Sequence, residues 1–293
     1  MNRKRATLFG FSAVLLWAML ALLTVGTAPM PALQLNAICF AIGGTIGLVW
    51  TAKTGGFLQF GKVPLKVYVF GTAGLFGYHF LYFSALRAAP AAQAGLIAYL
   101  WPLLIVLFSG LLPGERLKTG HVLGALISFA GAALVVLGGS TGFNPEFVTG
   151  YLLAIGCALV WAGYSVLSRR LGNVPTASVA VFCIATAVLS LVAHLATEQT
   201  VWPSSGLGWA SVLALGLGPV GLAFYVWDIG VKKGDIQLLG VASYAAPLLS
   251  TIILVVAGIA APRWPLLLAA ILITAGALLA ARASTTTNIT PQA

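Results

Sequence analysis

Polar aromatic side chains recur in this chain where a lipid-facing helix would carry Leu, Ile, Val or Phe. Tyr78, His79 and Tyr82 fall in one apolar run, Tyr99 and Trp101 in the next, and Trp17 and Trp161 near the middle of two others. Tyr and Trp prefer the water interface of a bilayer, so such rings at mid-depth face protein or a wet cavity. Tyr78 and Tyr82 are spaced i,i+4, with His79 beside them. Trp161, Tyr164, Ser165 and Ser168 follow i, i+3, i+4 and i+7, one stripe of a helix. Walls of this kind can take an aromatic side chain by offset stacking and orient an ammonium group by cation–π attraction. With Tyr244, which enters through the repeat described below, the expected substrate-binding set is Trp17, Tyr78, His79, Tyr82, Tyr99, Trp101, Trp161 and Tyr244.

Titratable groups narrow the chemistry further, because each costs several kcal/mol inside a membrane and is usually functional there. His79 is the one deep candidate, either a neutral imidazole bonded to a neighbour or a proton-linked substrate contact. His121 and His194 are expected at interfaces, and Arg87 and Lys232 at helix ends, where they can snorkel. Asp228 precedes Lys232 by four residues, the spacing of a local ion pair near the cytoplasmic surface. Glu115, Glu146, Glu198 and Asp235 fall in loops or at helix ends. No buried base is left to neutralise a phosphate, and no buried carboxylate to pair with a cationic drug. A net-neutral amphipathic molecule fits best.

Enzyme chemistry finds no purchase. The chain has no HExxH, no GxSxG and no pair of deep acids, so no catalytic residue, metal or cofactor is expected. Cys39, Cys157 and Cys183 lie in apolar runs without CxxC spacing and read as small packing residues.

The elements that must position these residues follow from composition. Of 293 residues, 60% are hydrophobic and only 7% charged, too few to solvate a soluble surface. Apolar runs of bilayer length occur at 7–25, 32–50, 66–86, 91–112, 120–138, 149–170, 176–197, 208–231, 236–259 and 264–282. The expected fold is an all-α polytopic membrane protein of ten transmembrane helices, its partner surface the lipid bilayer. The Arg3-Lys4-Arg5 start resembles a secretory signal, but Pro29 after Ala28 is a poor cleavage context, so the first run is expected to be a retained helix. With a cytoplasmic N-terminus, thirteen of the fifteen Lys and Arg residues fall inside, leaving Arg87 and Arg263 outside. This positive-inside bias puts both termini in the cytoplasm and accounts for the net charge of +10 without nucleic acid.

A shift of 144 or 145 residues brings the two halves into register. Trp17 falls on Trp161, Pro31 on Pro175, Cys39 on Cys183, Gly71 on Gly216, Tyr99 on Tyr244, Pro102 on Pro247 and Gly131 on Gly276. The division is 1–144 and 145–282, with 283–293 as a disordered tail. Five helices per half is an odd number, so the second half is expected upside down relative to the first. Inverted repeats place a substrate site near mid-membrane in secondary transporters. Gly71, Pro102, Gly216 and Pro247 are the expected hinges. The polar aromatics, by contrast, favour the first half: Tyr78, His79 and Trp101 fall on Ala223, Phe224 and Ala246.

Two five-helix repeats in under 300 residues resemble the drug/metabolite transporter superfamily and its EamA-type branch. The Trp17 run and Phe76–Leu117 (FGYHFLYFSALRAAPAAQAGLIAYLWPLLIVLFSGLLPGERL) are similar to the bacterial aromatic amino acid exporters of the YddG type. The resemblance implies a monomeric, multi-pass protein of the bacterial inner membrane. It implies export of aromatic amino acids and other amphipathic compounds. The residues themselves offer no evident proton carrier, so the expected mode is facilitated diffusion. Exporters of other amino acids or cationic drugs, and a channel or lipid scramblase, stand as alternatives.

Overall fold

The structure is a computed structural model that describes residues 1–54, 56–137, 144–171 and 173–285. Most of the tail expected at 283–293 lies outside them. Among the described residues, ten helices are long and apolar enough to cross a membrane. They are α1 (Arg3–Gly26), α2 (Ala32–Thr54), α3 (Leu65–Ala88), α4 (Ala91–Ser109), α5 (Thr119–Leu137), α6 (Pro145–Arg170), α7 (Thr176–Thr197), α8 (Gly206–Lys233), α9 (Ile236–Val256) and α10 (Pro265–Ser284). All ten predicted runs appear, and no strand occurs among the described residues. At a rise of about 1.5 Å per residue, about 20 residues cross the hydrocarbon core with every backbone group bonded internally.

Helix starts are written locally. Asn2, Ser205 and Asp235 accept from Arg5 N, Gly208 N and Leu238 N, each satisfying an otherwise orphan amide. Pro64 and Pro90, which cannot donate to a preceding turn, stand at the N-caps before α3 and the first turn of α4.

Packing pairs the helices across the halves. α5 lies along α10 and α2 along α7, while α3 packs on α6 and α1 on α8. Advancing every helix by five returns the same set of pairs. Apolar burial gives little drive inside lipid, so close backbone approach carries the packing. A Cβ at Gly10 would stand 2.8 Å from Gly230 Cα where α1 crosses α8. A Cβ at Gly124 would stand 2.5 Å from the Gly276 carbonyl where α5 meets α10. Buried polar side chains bond between helices as well: Asn36 to Ser190 at 2.8 Å across the α2–α7 seam, and Tyr225 to the Gly43 carbonyl at 2.9 Å between α8 and α2.

Four helices are interrupted at mid-depth. α1 breaks at Met19, between Arg3–Ala18 and Leu20–Gly26. α4 divides into Ala91–Ala98 and Trp101–Ser109, and α9 into Ile236–Ala242 and Ala245–Val256. α8 carries a π-helical turn over Gly218–Leu222, built around Pro219. The interruptions in α4 and α9 accompany Pro102 and Pro247, which lack the amide that would close the preceding turn. By contrast, Gly71 and Gly216 lie in regular helix, where a Cβ would meet the Phe182 ring and Ile42 respectively.

Candidate functional site

The interruptions surround a cavity of about 630 Å³, within the roughly 300–1,000 Å³ typical of small-molecule sites. Its wall includes Trp17, Tyr78, His79, Tyr82, Tyr99, Trp101 and Trp161, seven of the eight residues expected from the sequence. The cavity runs from mid-depth to the α1–α2 connection at Thr27–Met30. The described wall contains no Asp, Glu, Lys or Arg.

Its floor is aromatic. The Trp17 ring stands 6.1 Å from Trp101, 5.8 Å from Trp161 and 5.1 Å from Trp227, and Phe224 lies 5.8 Å from Trp161. Four helices, α1, α4, α6 and α8, thus meet through side-chain rings. Two indoles are fixed by hydrogen bonds. Trp17 Nε1 donates to the Pro219 carbonyl at 3.1 Å, in the π-helical turn, and Trp227 Nε1 donates to Ser165 Oγ at 3.1 Å.

On the side wall, Tyr78 and Tyr82 stack 6.1 Å apart and nearly parallel. His79 sits edge-on to Phe40 at 4.9 Å and to Tyr78 at 5.1 Å. Its Nδ1 lies 2.8 Å from the Leu75 carbonyl. A carbonyl can only accept, so Nδ1 carries the proton and Nε2 of the neutral ring is left as an acceptor. One ring nitrogen of His79 is thus bonded to the backbone of its own helix, as the structural reading expects.

The break in α4 adds backbone acceptors. Pro102 has no N–H for the Ala98 carbonyl. The Leu103 N–H, which would close onto Tyr99 in an unbroken helix, donates to the Tyr244 hydroxyl at 3.1 Å. Ala98 and Tyr99 both belong to the cavity wall.

Tyr244 corrects the expectation. It is fully buried behind the cavity, packed with Leu103, Phe129 and Leu248, and its hydroxyl serves the broken end of α4. Its repeat mate Tyr99 lies in the cavity wall. Sequence reasoning also missed Phe224, Asn36 and Pro219 in the wall, and Trp227 and Phe40, which pack against Trp17 and His79 behind it. The repeat held the signal for two of them: a 145-residue shift carries Tyr82 onto Trp227 and His79 onto Phe224.

The two ends of the bundle carry the charges. At the end holding the N-terminus, here the near end, Glu115 is ion-paired with Arg169 and with Arg3 at 3.2 Å. Arg3 also reaches Asp235 at 3.4 Å, while Arg169 Nη1 donates to the Val231 and Gly234 carbonyls, both at 2.9 Å. This network joins α1, α6 and the α4–α5 and α8–α9 connections beneath the aromatic floor. At the far end, Glu198 pairs with Arg87, contacts His194 Nδ1 at 2.9 Å and accepts from Leu33 N and Gln34 N at the start of α2. His121 and His194 do lie at helix ends, but both are buried.

Lys232 does not snorkel. Its Nζ is buried 2.9 Å from Asp228 and 3.0 Å from the Val174 carbonyl, and Thr176 donates to Asp228 at 2.7 Å. The i,i+4 pair expected from the sequence exists, but α7 covers it, because its partners satisfy both charges within the protein. It lies outside the cavity.

The EamA-like transporter family matches residues 4–137 and again 148–282. The chain belongs to this family. It is 56% identical to the aromatic amino acid exporter YddG of Ancylobacter novellus over 283 residues, 96% of this chain and 98% of that one. Against the exporter of the same name from Salmonella typhimurium, identity is 29% over 266 residues, covering 86% and 88%. A solved crystal structure superposes with a TM-score of 0.92 at 54% identity, covering 95% of this chain and 97% of that one. The protein is thus a multi-pass transporter of the bacterial inner membrane.

Proposed function

We propose that this transporter exports aromatic amino acids and related neutral amphipathic metabolites from the cytoplasm by alternating access. The observation that carries this reading is a cavity walled by Trp and Tyr and free of ionised side chains in its described wall. Indole and phenol rings stack on such walls. His79 Nε2 and the Ala98 and Tyr99 carbonyls, at the negative end of a half-helix, offer acceptors for an ammonium group. A phosphorylated substrate would find no cation there, and a cationic drug no carboxylate. The names of the two exporters reported above point the same way.

The two family matches and the pairing of helices under a five-helix shift support two five-helix repeats, the second inverted. With the basic residues at the near end, both termini are cytoplasmic. The conformation described here is then outward-open: the cavity reaches the far loops, while rings and ion pairs seal the near end. Pro102 and Pro247 mark the flexing points, with Gly71 and Gly216 giving the close contacts against which helices turn. The working unit is a monomer, and transport is facilitated diffusion down the substrate gradient.

Counterflow in proteoliposomes tests this directly. Saturable exchange of labelled phenylalanine, tyrosine or tryptophan, competed by the unlabelled amino acid, is the expected result. Unsaturable flux would establish a pore, and exchange restricted to charged substrates would refute the substrate class.

A further inference from the structure

A second cleft lies away from the transport cavity, at the near end, between the first turn of α3 and the last turn of α6. It encloses about 290 Å³ and is lined by Lys66, Val67, Phe70, Leu167, Arg170 and Leu171. Four apolar residues form its body and two cations flank it. Leu167 is 45% exposed, and Leu65 and Val69 on the adjoining surface of α3 are 76% and 60% exposed, as a lipid-facing surface should be. The cations sit at helix ends, the depth of lipid headgroups. Arg170 Nη2 is held by the Leu111 carbonyl at 3.2 Å, which fixes the guanidinium beside the cleft.

We propose that this cleft binds an anionic phospholipid, with one acyl chain along Phe70 and Leu167 and the phosphate between Lys66 and Arg170. Charge complementarity selects the occupant, since basic sites between helices at a membrane surface attract anionic headgroups. The start of α3 adds to this. No side chain caps it, so its first-turn amides and the helix dipole favour an anion at the same place. The lipid would bridge α3 and α6, one helix from each half, and so act on the seam along which the halves move. This reading goes beyond substrate transport and does not depend on which amino acid is carried.

The test uses the purified full-length protein in neutral detergent, with thermal unfolding followed during titration by phosphatidylglycerol, phosphatidylcholine or inorganic phosphate. Saturable stabilisation by phosphatidylglycerol alone is expected. At about fivefold in affinity per basic residue, Lys66→Ala/Arg170→Ala should weaken it on the order of 25-fold. The charge-matched Arg5→Ala/Lys53→Ala control should retain wild-type affinity, as should Lys66→Arg/Arg170→Lys. Leu167→Trp, which fills the cleft and keeps both charges, should weaken it too and covers the case in which the double alanine variant fails to fold. Equal effects of the two lipids, equal weakening in the control, or full stabilisation by inorganic phosphate would each overturn the proposal.

Discussion

Replacing Glu115 by Gln should open the near end. Glu115 has a 6% exposed side chain and accepts from two guanidinium groups, one on Arg169, whose side chain is 18% exposed, and one on Arg3, at 51%. Gln keeps the shape and one acceptor but removes the charge. A hydrogen bond to a charged group contributes roughly 1.5–3 kcal/mol when buried. The Arg3 pair is half-exposed and contributes under about 1 kcal/mol. The sealed conformation therefore loses about 2–3 kcal/mol relative to one in which these groups separate and hydrate. That raises the near-open population on the order of 30- to 150-fold while it remains the minor state. The assay is thiol labelling of Ile105→Cys, placed at a fully buried position on the near side of the Trp101 ring, in a background with the three native cysteines replaced. An impermeant maleimide applied from the near face should react at least tenfold faster in the Glu115→Gln protein. A change below threefold, with the variant folded, would refute the assignment of this carboxylate as a latch.

Other perturbations separate roles within the cavity. Trp17→Phe keeps an aromatic floor but loses the bond to Pro219, so counterflow should fall several-fold. Ala at Trp17, Tyr82, Trp101 or Trp161 should fall further at normal expression; wild-type rates in all four would dismiss the cavity as the transport site. His79→Gln supplies another acceptor and should retain more exchange than His79→Leu, with the difference in KM for an amino acid substrate. Glu198→Gln removes the charge that caps α2 and pairs with Arg87 and should lower the thermal midpoint by a few degrees. An unchanged midpoint would show the far-end cluster to be dispensable for stability.

Helix number and limits were legible in the sequence because apolar length and flanking charge fix them independently of tertiary contacts. The predicted 32–50 and 176–197 are observed as Ala32–Thr54 and Thr176–Thr197. Seven cavity residues were legible too, since Tyr, Trp and His at mid-depth have few alternatives to a protein interior. Tyr244 was not, because its partner, the Leu103 amide, comes from a helix 141 residues away in the chain. Trp227 is adjacent to Asp228 in the chain and carries no spacing signal of its own beyond the 145-residue shift from Tyr82. The burial of the Lys232 and Glu198 side chains is not legible in the sequence either. Spacing locates the i,i+4 partner of each, but Val174, Thr176 and the start of α2 arrive from elsewhere in the chain.

The Tyr244 hydroxyl bound to Leu103 N–H joins one broken helix to the other. A kink left to itself adds a degree of freedom, and two would let the carrier flex at each end separately. Both ends could then gape together and leak. The phenol acts as a linkage pin: straightening α4 would reclaim the Leu103 amide for Tyr99 and release Tyr244, so α9 must respond to any change in α4. Under the alternating-access mechanism proposed above, this bond couples the two joints, and a single coordinate would decide which face of the membrane the substrate meets.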